Sequence, residues 1–106
     1  MAKDRTVEEF LMHLPALAES HREALQDFDK LIRLNWGSHT AFIHLNHGNV
    51  TLMKSCEEYP ACIIHTDEKM ARNLVRRKVS PMEALLFGNV RVDGDVKFLL
   101  SLFGRL

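Results

Sequence analysis

The chain has 106 residues, of which 46% are apolar and 26% charged, and its 14 basic residues balance its 14 acidic ones. This length predicts a single domain over residues 1–106, large enough to bury a core without disulfides. A formal net charge of zero argues against a nucleic-acid-binding protein, and the apolar content argues against intrinsic disorder. With only two cysteines and no apolar run of ~20 residues, we expect a reduced, cytoplasmic protein without stable membrane insertion.

Two helix-start patterns occur in the N-terminal third of the chain. Thr6 and Glu9 have the spacing of a capping box, in which a hydroxyl and a carboxylate each pair with a free amide. Ser20 and Glu23 repeat this spacing. Behind the first box, apolar residues recur at helical spacing, which predicts a helix. Pro15 lacks the amide hydrogen that a bond in the helix interior requires, so we expect a kink or a break just before it.

Residues 30–36 allow two interpretations. Apolar residues between positions 7 and 31 follow a three-four spacing that would also suit a helical hairpin or a coiled coil. Apolar and polar residues then alternate from Ile32 to Trp36, which suits a half-buried strand. We therefore favour a strand for this segment.

Further strands are expected at 40–45 and 50–54, on either side of a turn at 46–49. Short connections between three strands predict an antiparallel meander. The later elements are expected to be a strand at 61–66, a helix capped by Thr66, a helix beginning at Ser80 and Pro81, a strand at 89–93 and a helix beginning at Asp95. The prediction is an α+β fold with a mixed, mostly antiparallel sheet of about five strands covered by helices, in the order α-β(3)-crossover-β-α-β-α.

Residues 78–95 carry the most specific pattern in the chain. A basic residue and a proline are followed by an alanine, an apolar pair and a glycine, and a short alternating strand then leads to a second glycine and an aspartate. The residues that hold this spacing are Pro81, Ala84, Gly88, Gly94 and Asp95. The segment resembles the signature of the sterol carrier protein domain family, and the order of elements is similar to that family over roughly residues 6–106.

The resemblance implies a mixed sheet packed by helices around an apolar tunnel. It also implies non-enzymatic binding or transfer of a fatty acid, a fatty acyl-CoA or a sterol-like lipid, with no cofactor. Where the family usually has a glycine just before the basic residue of the signature, this chain has Arg77. Either the helix there ends differently, or Arg77 adopts a left-handed conformation at a cost of about 1 kcal/mol or more.

Candidate ligand contacts lie on the apolar sides of the predicted elements, because a lipid site needs a concave apolar surface with few fixed polar groups. From the inner sheet face, the signature helix and the final helix, the expected lining residues are Ile32, Leu34, Trp36, Phe42, Met82, Leu85, Leu86, Phe87, Phe98, Leu99, Leu102 and Phe103. Segment 67–80 is basic, and an anionic head group such as a CoA phosphate would suit its cations. The expected head-group contacts are Arg72, Arg76, Arg77 and Lys78.

Two other functions are weighed against lipid binding. The apolar surface could pair with a second copy or a partner chain, which would make the protein a homodimerisation or interaction module without a ligand cavity. Asp93 and Asp95 could act in acid–base catalysis, but each has a plain role in a turn or a helix cap, so catalysis is the minor hypothesis. His44 and His47 are expected to point to different faces, and no metal site is predicted.

Overall fold

Helices and strands follow one another along the chain largely as the apolar patterning predicts. The structure, a computed structural model, describes residues 5–105 apart from the side chains of Phe103 and Arg105. In chain order, its elements are α1 (Thr6–Glu19), α2 (Arg22–Leu25), β1 (Asp29–Trp36), β2 (His39–Asn46), β3 (Asn49–Met53), β4 (Cys62–Thr66), α3 (Glu68–Val75), α4 (Pro81–Leu86), β5 (Arg91–Gly94) and α5 (Val96–Arg105).

The strands form one mixed sheet in the order β3-β2-β1-β4-β5. β1 and β4 run parallel, while the other neighbouring strands are antiparallel. β1 pairs with β2 from Asp29 opposite Asn46 to Trp36 opposite His39, so the strand interpretation of residues 30–36 is confirmed. The segment between β3 and β4 carries the chain across to the free side of β1, which is why the central pair is parallel. The predicted α+β fold and mixed sheet are confirmed.

One face of the sheet packs against the helices. Because side chains alternate along a strand, Ile32 and its partner Ile43 point to this face, as do Leu34 and its partner Ile64. Two clusters of buried apolar side chains form here, one beneath α2 and α5 and the other beneath α1 and α3. Ile43 packs against both clusters and joins them. Within residues 5–105, no helix is long and apolar enough to cross a bilayer.

Neither predicted capping box forms. α1 begins at Thr6, with Arg5 in the N-cap position and no hydrogen bond from a capping side chain. α2 begins at Arg22, and the Ser20 hydroxyl donates instead to the Leu17 carbonyl oxygen (2.9 Å). Ser20 is the C-cap of α1, and α2 begins one residue later than the predicted box requires, with His21 in the N-cap position.

Pro15 lies inside α1, which continues to Glu19, so the alternative of a break is wrong. The helix loses one backbone hydrogen bond at the proline. Its buried side chains, Val7, Leu11 and Ala18, lie on both sides of Pro15 along the helix and hold both halves against the sheet. Tertiary packing of an apolar face supplies most of a helix's stability and here outweighs the missing bond.

Two aspartates cap the later helices. Asp67 and not the predicted Thr66 is the N-cap of α3, and its carboxylate accepts a hydrogen bond from the Met70 amide (2.7 Å). Asp95 Oδ1 accepts a hydrogen bond from the Phe98 amide (3.0 Å), so the predicted start of the last helix is confirmed. A carboxylate also interacts favourably with the positive end of the helix dipole, which a hydroxyl does much less.

Candidate functional site

An apolar pocket of about 320 Å³, here called the main pocket, lies between the sheet and the helices α1, α2 and α5. Every strand except β5 contributes to its floor. Its lining residues are Phe10, Leu14, Leu17, Ala18, His21, Leu25, Ile32, Leu34, Ile43, Leu45, Val50, Ile64, Arg77, Leu99 and Leu102. The volume is in the range of small-molecule sites in proteins.

Two smaller apolar pockets adjoin the main pocket. One, the α3 lobe, has a volume of about 270 Å³ and lies between α1, α3 and the sheet. The other, the α4 lobe, has a volume of about 180 Å³ and lies beside α4 and α5. Leu34 and Ile64 line all three pockets. These two residues are direct partners in the parallel β1–β4 pair, so the three pockets meet at the centre of the sheet.

The mouth of the main pocket is identified by exposure. Of its lining residues, only Leu17, His21 and Arg77 are exposed, and the others are buried or half-buried. These three residues therefore lie where the pocket opens to solvent. Apart from His21 and Arg77 the lining is apolar, and no polar or charged residue is buried among the described residues.

Arg77 adopts the left-handed conformation, with φ of 59°, which confirms the second of the two alternatives stated for it. α3 ends one residue earlier, at the C-cap Arg76, and the Arg77 amide donates to the Leu74 carbonyl oxygen (3.1 Å). The next amide, of Lys78, donates to the Asn73 carbonyl oxygen (2.9 Å). This is the backbone arrangement that usually has glycine at the left-handed position.

The other three head-group candidates lie elsewhere. Arg72 lines a separate small polar pocket beside Glu8 and His39. Arg76 donates to the Thr6 hydroxyl (3.2 Å), which ties the end of α3 to the start of α1. Lys78 is exposed and lines none of the three apolar pockets.

The structure brings some of the predicted lining residues together. Those in the main pocket are Ile32, Leu34, Leu99 and Leu102, and Leu85 lines the α4 lobe. Phe98 is buried in the core, where its ring meets Phe28 edge to face at a centroid distance of 5.5 Å. The side chain of Phe103 lies outside the described part of the chain.

The remaining predicted lining residues lie apart from the main pocket. Trp36 stacks on His39 (ring centroids 5.2 Å apart) and lines the small polar pocket. Phe42 points to the opposite face of the sheet, where the Arg33 guanidinium lies 5.7 Å from the centre of its ring. On α4, the side chains directed to solvent are those of Met82, Leu86 and Phe87, which are 37%, 75% and 78% exposed.

Sequence reasoning missed the contribution of α1, β3 and β4, and on β2 it chose Phe42 where Ile43 and Leu45 line the pocket. The missed lining residues include Phe10, Leu14, Ile43, Val50 and Ile64. The strand residues could have been predicted, because the alternation of side chains that pointed to Ile32 and Leu34 also holds in the strands paired with β1.

The opposite face of the sheet carries a polar network. His65 Nε2–H donates to Asp93 Oδ2 (2.9 Å), and Asn35 Nδ2 donates to His65 Nδ1 (3.4 Å). Asn35 Oδ1 in turn accepts from the Thr40 hydroxyl (2.9 Å) and from Arg33 Nε (3.2 Å). Both His65 ring nitrogens are thus engaged in side-chain hydrogen bonds that cross neighbouring strands.

The prediction that His44 and His47 point to different faces is wrong. His44 Nε2 lies 3.4 Å and His47 Nε2 lies 3.8 Å from the two carboxylate oxygens of Asp29. The reason is the turn, where His47 has a positive φ of 48° and its Nδ1 contacts the Gln26 carbonyl oxygen (3.0 Å). Among the described residues, no group of three or more His, Cys, Asp or Glu side chains is arranged to hold a metal ion.

Cys62 is a buried free thiol at the start of β4. Burial, and secondarily the nearby Asp95 carboxylate, raises the pKa of the Cys62 thiol to about 11. At neutral pH this thiol is therefore protonated, and it is a poor nucleophile.

Comparison with known proteins places these features in a family. Residues 11–105 match the SCP-2 sterol transfer family. A search of curated proteins finds no significant match. Among solved structures, sterol carrier protein domain 2 of Helicoverpa armigera superimposes with a TM-score of 0.79 at 13% sequence identity, over 97% of this chain and 88% of that one.

Two further structures share the fold. Sterol carrier protein 2 from Yarrowia lipolytica matches with a TM-score of 0.62 and 18% identity, over 93% of this chain and 83% of that one. A sec-alkylsulfatase from Pseudomonas sp. matches with a TM-score of 0.66 and 20% identity, over 80% of this chain. The match covers only 14% of the sulfatase, so this chain corresponds to a small part of that enzyme.

Proposed function

Because the chain belongs to the SCP-2 sterol transfer family, we propose that it binds a lipid or another apolar small molecule in the main pocket and carries it without chemical change. The observation that carries this proposal is a lining of apolar side chains that contains only two polar residues, both at the mouth. Such a surface favours an apolar ligand, because burying it against another apolar group removes both from water.

The candidate ligands are a fatty acid, a fatty acyl-CoA and a sterol-like lipid. The α3 and α4 lobes offer apolar space beyond the main pocket for a long or branched ligand. We further propose that residues 1–106 form one domain and that it works in the cytoplasm, with Cys56 and Cys62 both free, as they are in the structure.

The first test asks what the protein binds. Mass spectrometry of the native full chain should detect a co-purified lipid, and the delipidated protein should bind a fluorescent fatty acid, acyl-CoA or sterol. Failure to bind any of these three probes would contradict the proposal.

A second test compares two neighbouring residues on opposite sheet faces. Ile64→Phe places a larger side chain where the three pockets meet, and we expect it to weaken binding of the fluorescent probe by about tenfold or more. Ile63→Phe is the matched control, because Ile63 points to the other face, and it should leave probe affinity unchanged. Thermal unfolding of both variants checks that they fold. Equal losses of affinity in the two variants would contradict the proposed site.

The alternative function, a homodimerisation or protein-interaction module, is favoured by one observation. Leu86 and Phe87 are 75% and 78% exposed at the end of α4, with the partly exposed Met82 one turn earlier. A second copy or a partner chain would cover such a patch.

A further inference from the structure

Resting on the proposed function, we propose that the bound lipid ends in a carboxylate and that Arg77 receives this group at the mouth of the main pocket. The site would therefore select a long-chain fatty acid over a neutral alcohol or sterol. Among the described side chains that line the pocket, Arg77 is the one with a permanent charge, and the others are apolar apart from His21. A fully apolar ligand would offer this guanidinium neither a hydrogen-bond acceptor nor a negative charge.

Arg77 is the only one of the four clustered cations that lines this pocket. Arg76 is hydrogen-bonded to Thr6, and Arg72 lies in a separate polar pocket. Within the described part of the chain, the structure gives the Arg77 side chain no hydrogen-bond or ion-pair partner. Its guanidinium is thus available to a ligand group, and a carboxylate suits it because the two planar groups can form paired hydrogen bonds.

The backbone at Arg77 provides an independent argument. A φ of 59° is unfavourable for an arginine and natural for a glycine. No hydrogen bond or ion pair to the described side chains offsets this strain. Strained residues that persist in a fold are often ones whose side chain is needed for function. The position holds an arginine directly at the pocket mouth, which is where a ligand's polar end must lie if its chain fills the apolar interior.

The location of the mouth also sets the ligand's direction. The floor of the main pocket is apolar over β1 to β4, so the hydrocarbon chain points toward Leu34 and Ile64. The exposed residues Leu17 and His21 flank the exit with Arg77. A carboxylate there remains in contact with water and with the guanidinium, and no charge is buried.

The test uses the delipidated full chain and displacement of an uncharged fluorescent probe. The competitors are a saturated fatty acid and the alcohol of the same chain length. We expect the fatty acid to bind about tenfold more tightly than the alcohol, as one charge-assisted hydrogen-bonding group warrants. Arg77→Gln should abolish this preference by weakening binding of the fatty acid about tenfold more than binding of the alcohol, and Arg77→Lys should retain part of the preference.

Two variants separate the ligand contact from a structural role. Lys78→Gln removes the neighbouring charge, which lies outside the pocket lining, and should preserve the preference. Arg77→Gly should lose the preference while raising the melting temperature by a few degrees, because it relieves the left-handed strain.

Equal binding of acid and alcohol by the unmodified chain would overturn the inference and leave the proposed function standing. A preference that persists in Arg77→Gln, or is lost equally in Lys78→Gln, would also overturn it. If the probe binds but neither competitor displaces it, the inference fails and the proposed function stands. If the delipidated chain binds no uncharged, fatty acid, acyl-CoA or sterol probe, the proposed function fails and the inference fails with it.

Discussion

A single carboxylate sets the start of α3. Asp67 accepts a hydrogen bond from the Met70 amide, whereas Ser80, at the equivalent position of α4, makes no side-chain capping hydrogen bond. Both residues are exposed, and they differ in this capping hydrogen bond and in the charge of the side chain. The two positions therefore form a natural pair for measuring what a cap contributes to stability.

We expect Asp67→Ala to lower the free energy of unfolding by about 1 kcal/mol, because it leaves an amide in the first turn of α3 unpaired. Ser80→Ala should change stability by less than about 0.5 kcal/mol, since it removes no capping bond. Urea unfolding of the two variants beside the original chain measures both effects. Equal destabilisation by Asp67→Ala and Ser80→Ala would contradict a stabilising role for the Asp67 cap.

Cys62 makes the stability depend on pH in the alkaline range. Its pKa is raised from 9.0 to about 11, with burial as the main cause and Asp95 as the second. In the unfolded chain the thiol ionises near its ordinary pKa, while in the folded chain it stays protonated. A group whose pKa is raised on folding supports stability below its unfolded pKa and loses that support as the pH rises.

We therefore expect the free energy of unfolding to fall between pH 9 and about 11, by about 2–3 kcal/mol in total from this group. Cys62→Ala should be less stable at neutral pH because it leaves a cavity, but it should lack this part of the decline. Denaturant unfolding at several pH values in this window makes the comparison. The same alkaline slope in both proteins would contradict the assignment to Cys62.

At the scale of elements, the antiparallel pairing of β4 with β5 depends on a glycine. Gly94 has φ of 99°, and a Cβ atom there would lie 2.5 Å from the Ala61 carbonyl oxygen. That oxygen accepts a hydrogen bond from the Asp95 amide (2.9 Å), so the carbonyl is held in place. Gly88, after α4, also has a positive φ (76°), but a Cβ atom there would meet nothing within 4 Å.

Substituting each of these two glycines by alanine distinguishes the energetic cost of backbone strain from that of a steric clash. Gly88→Ala should cost about 1 kcal/mol of unfolding free energy, the penalty of a left-handed alanine. Gly94→Ala should cost about 3 kcal/mol or more, because the clash with Ala61 adds to the strain. Thermal or urea unfolding gives both values. A similar cost at the two sites would show that the backbone at Ala61 shifts easily and relieves the clash.

At the scale of the whole molecule, the pocket arises from the chain's crossover. β1 and β4 are far apart in sequence, yet Leu34 and Ile64 are direct partners. Helices from both ends of the chain then cover this pair, since Leu14 of α1 and Leu99 of α5 both line the main pocket.

The exposed end of α4 allows a test of the oligomeric state. For a lipid carrier, we expect a monomer whose mass in sedimentation is independent of concentration. The double variant Leu86→Ser with Phe87→Ser should retain this mass and the affinity for the fluorescent probe, because neither residue lines a pocket. A tight dimer that these substitutions dissociate, together with absence of lipid binding, would instead support the interaction module.

The local patterns of the sequence predicted most of the secondary structure. Period-two alternation identified β1, and turn residues identified the meander, because these signals depend on neighbouring residues only. Helix starts were less predictable. At α1, α2 and α3 the observed N-caps are Arg5, His21 and Asp67, each one residue away from the predicted Thr6, Ser20 and Thr66. Several hydroxyls and carboxylates compete for each helix start, and the backbone conformation selects among them.

The sequence by itself determined the elements, their order and the family to which residues 78–95 point. It also marked Arg77 as a departure that required either a different helix end or a left-handed residue. Only the tertiary structure decided that Arg77 is left-handed and lies at the pocket mouth, while Phe42 faces away and Leu86 faces solvent. The physical reason is that apolar periodicity tells which side chains avoid water, whereas the pairing of distant strands decides which of them share a face and enclose a space.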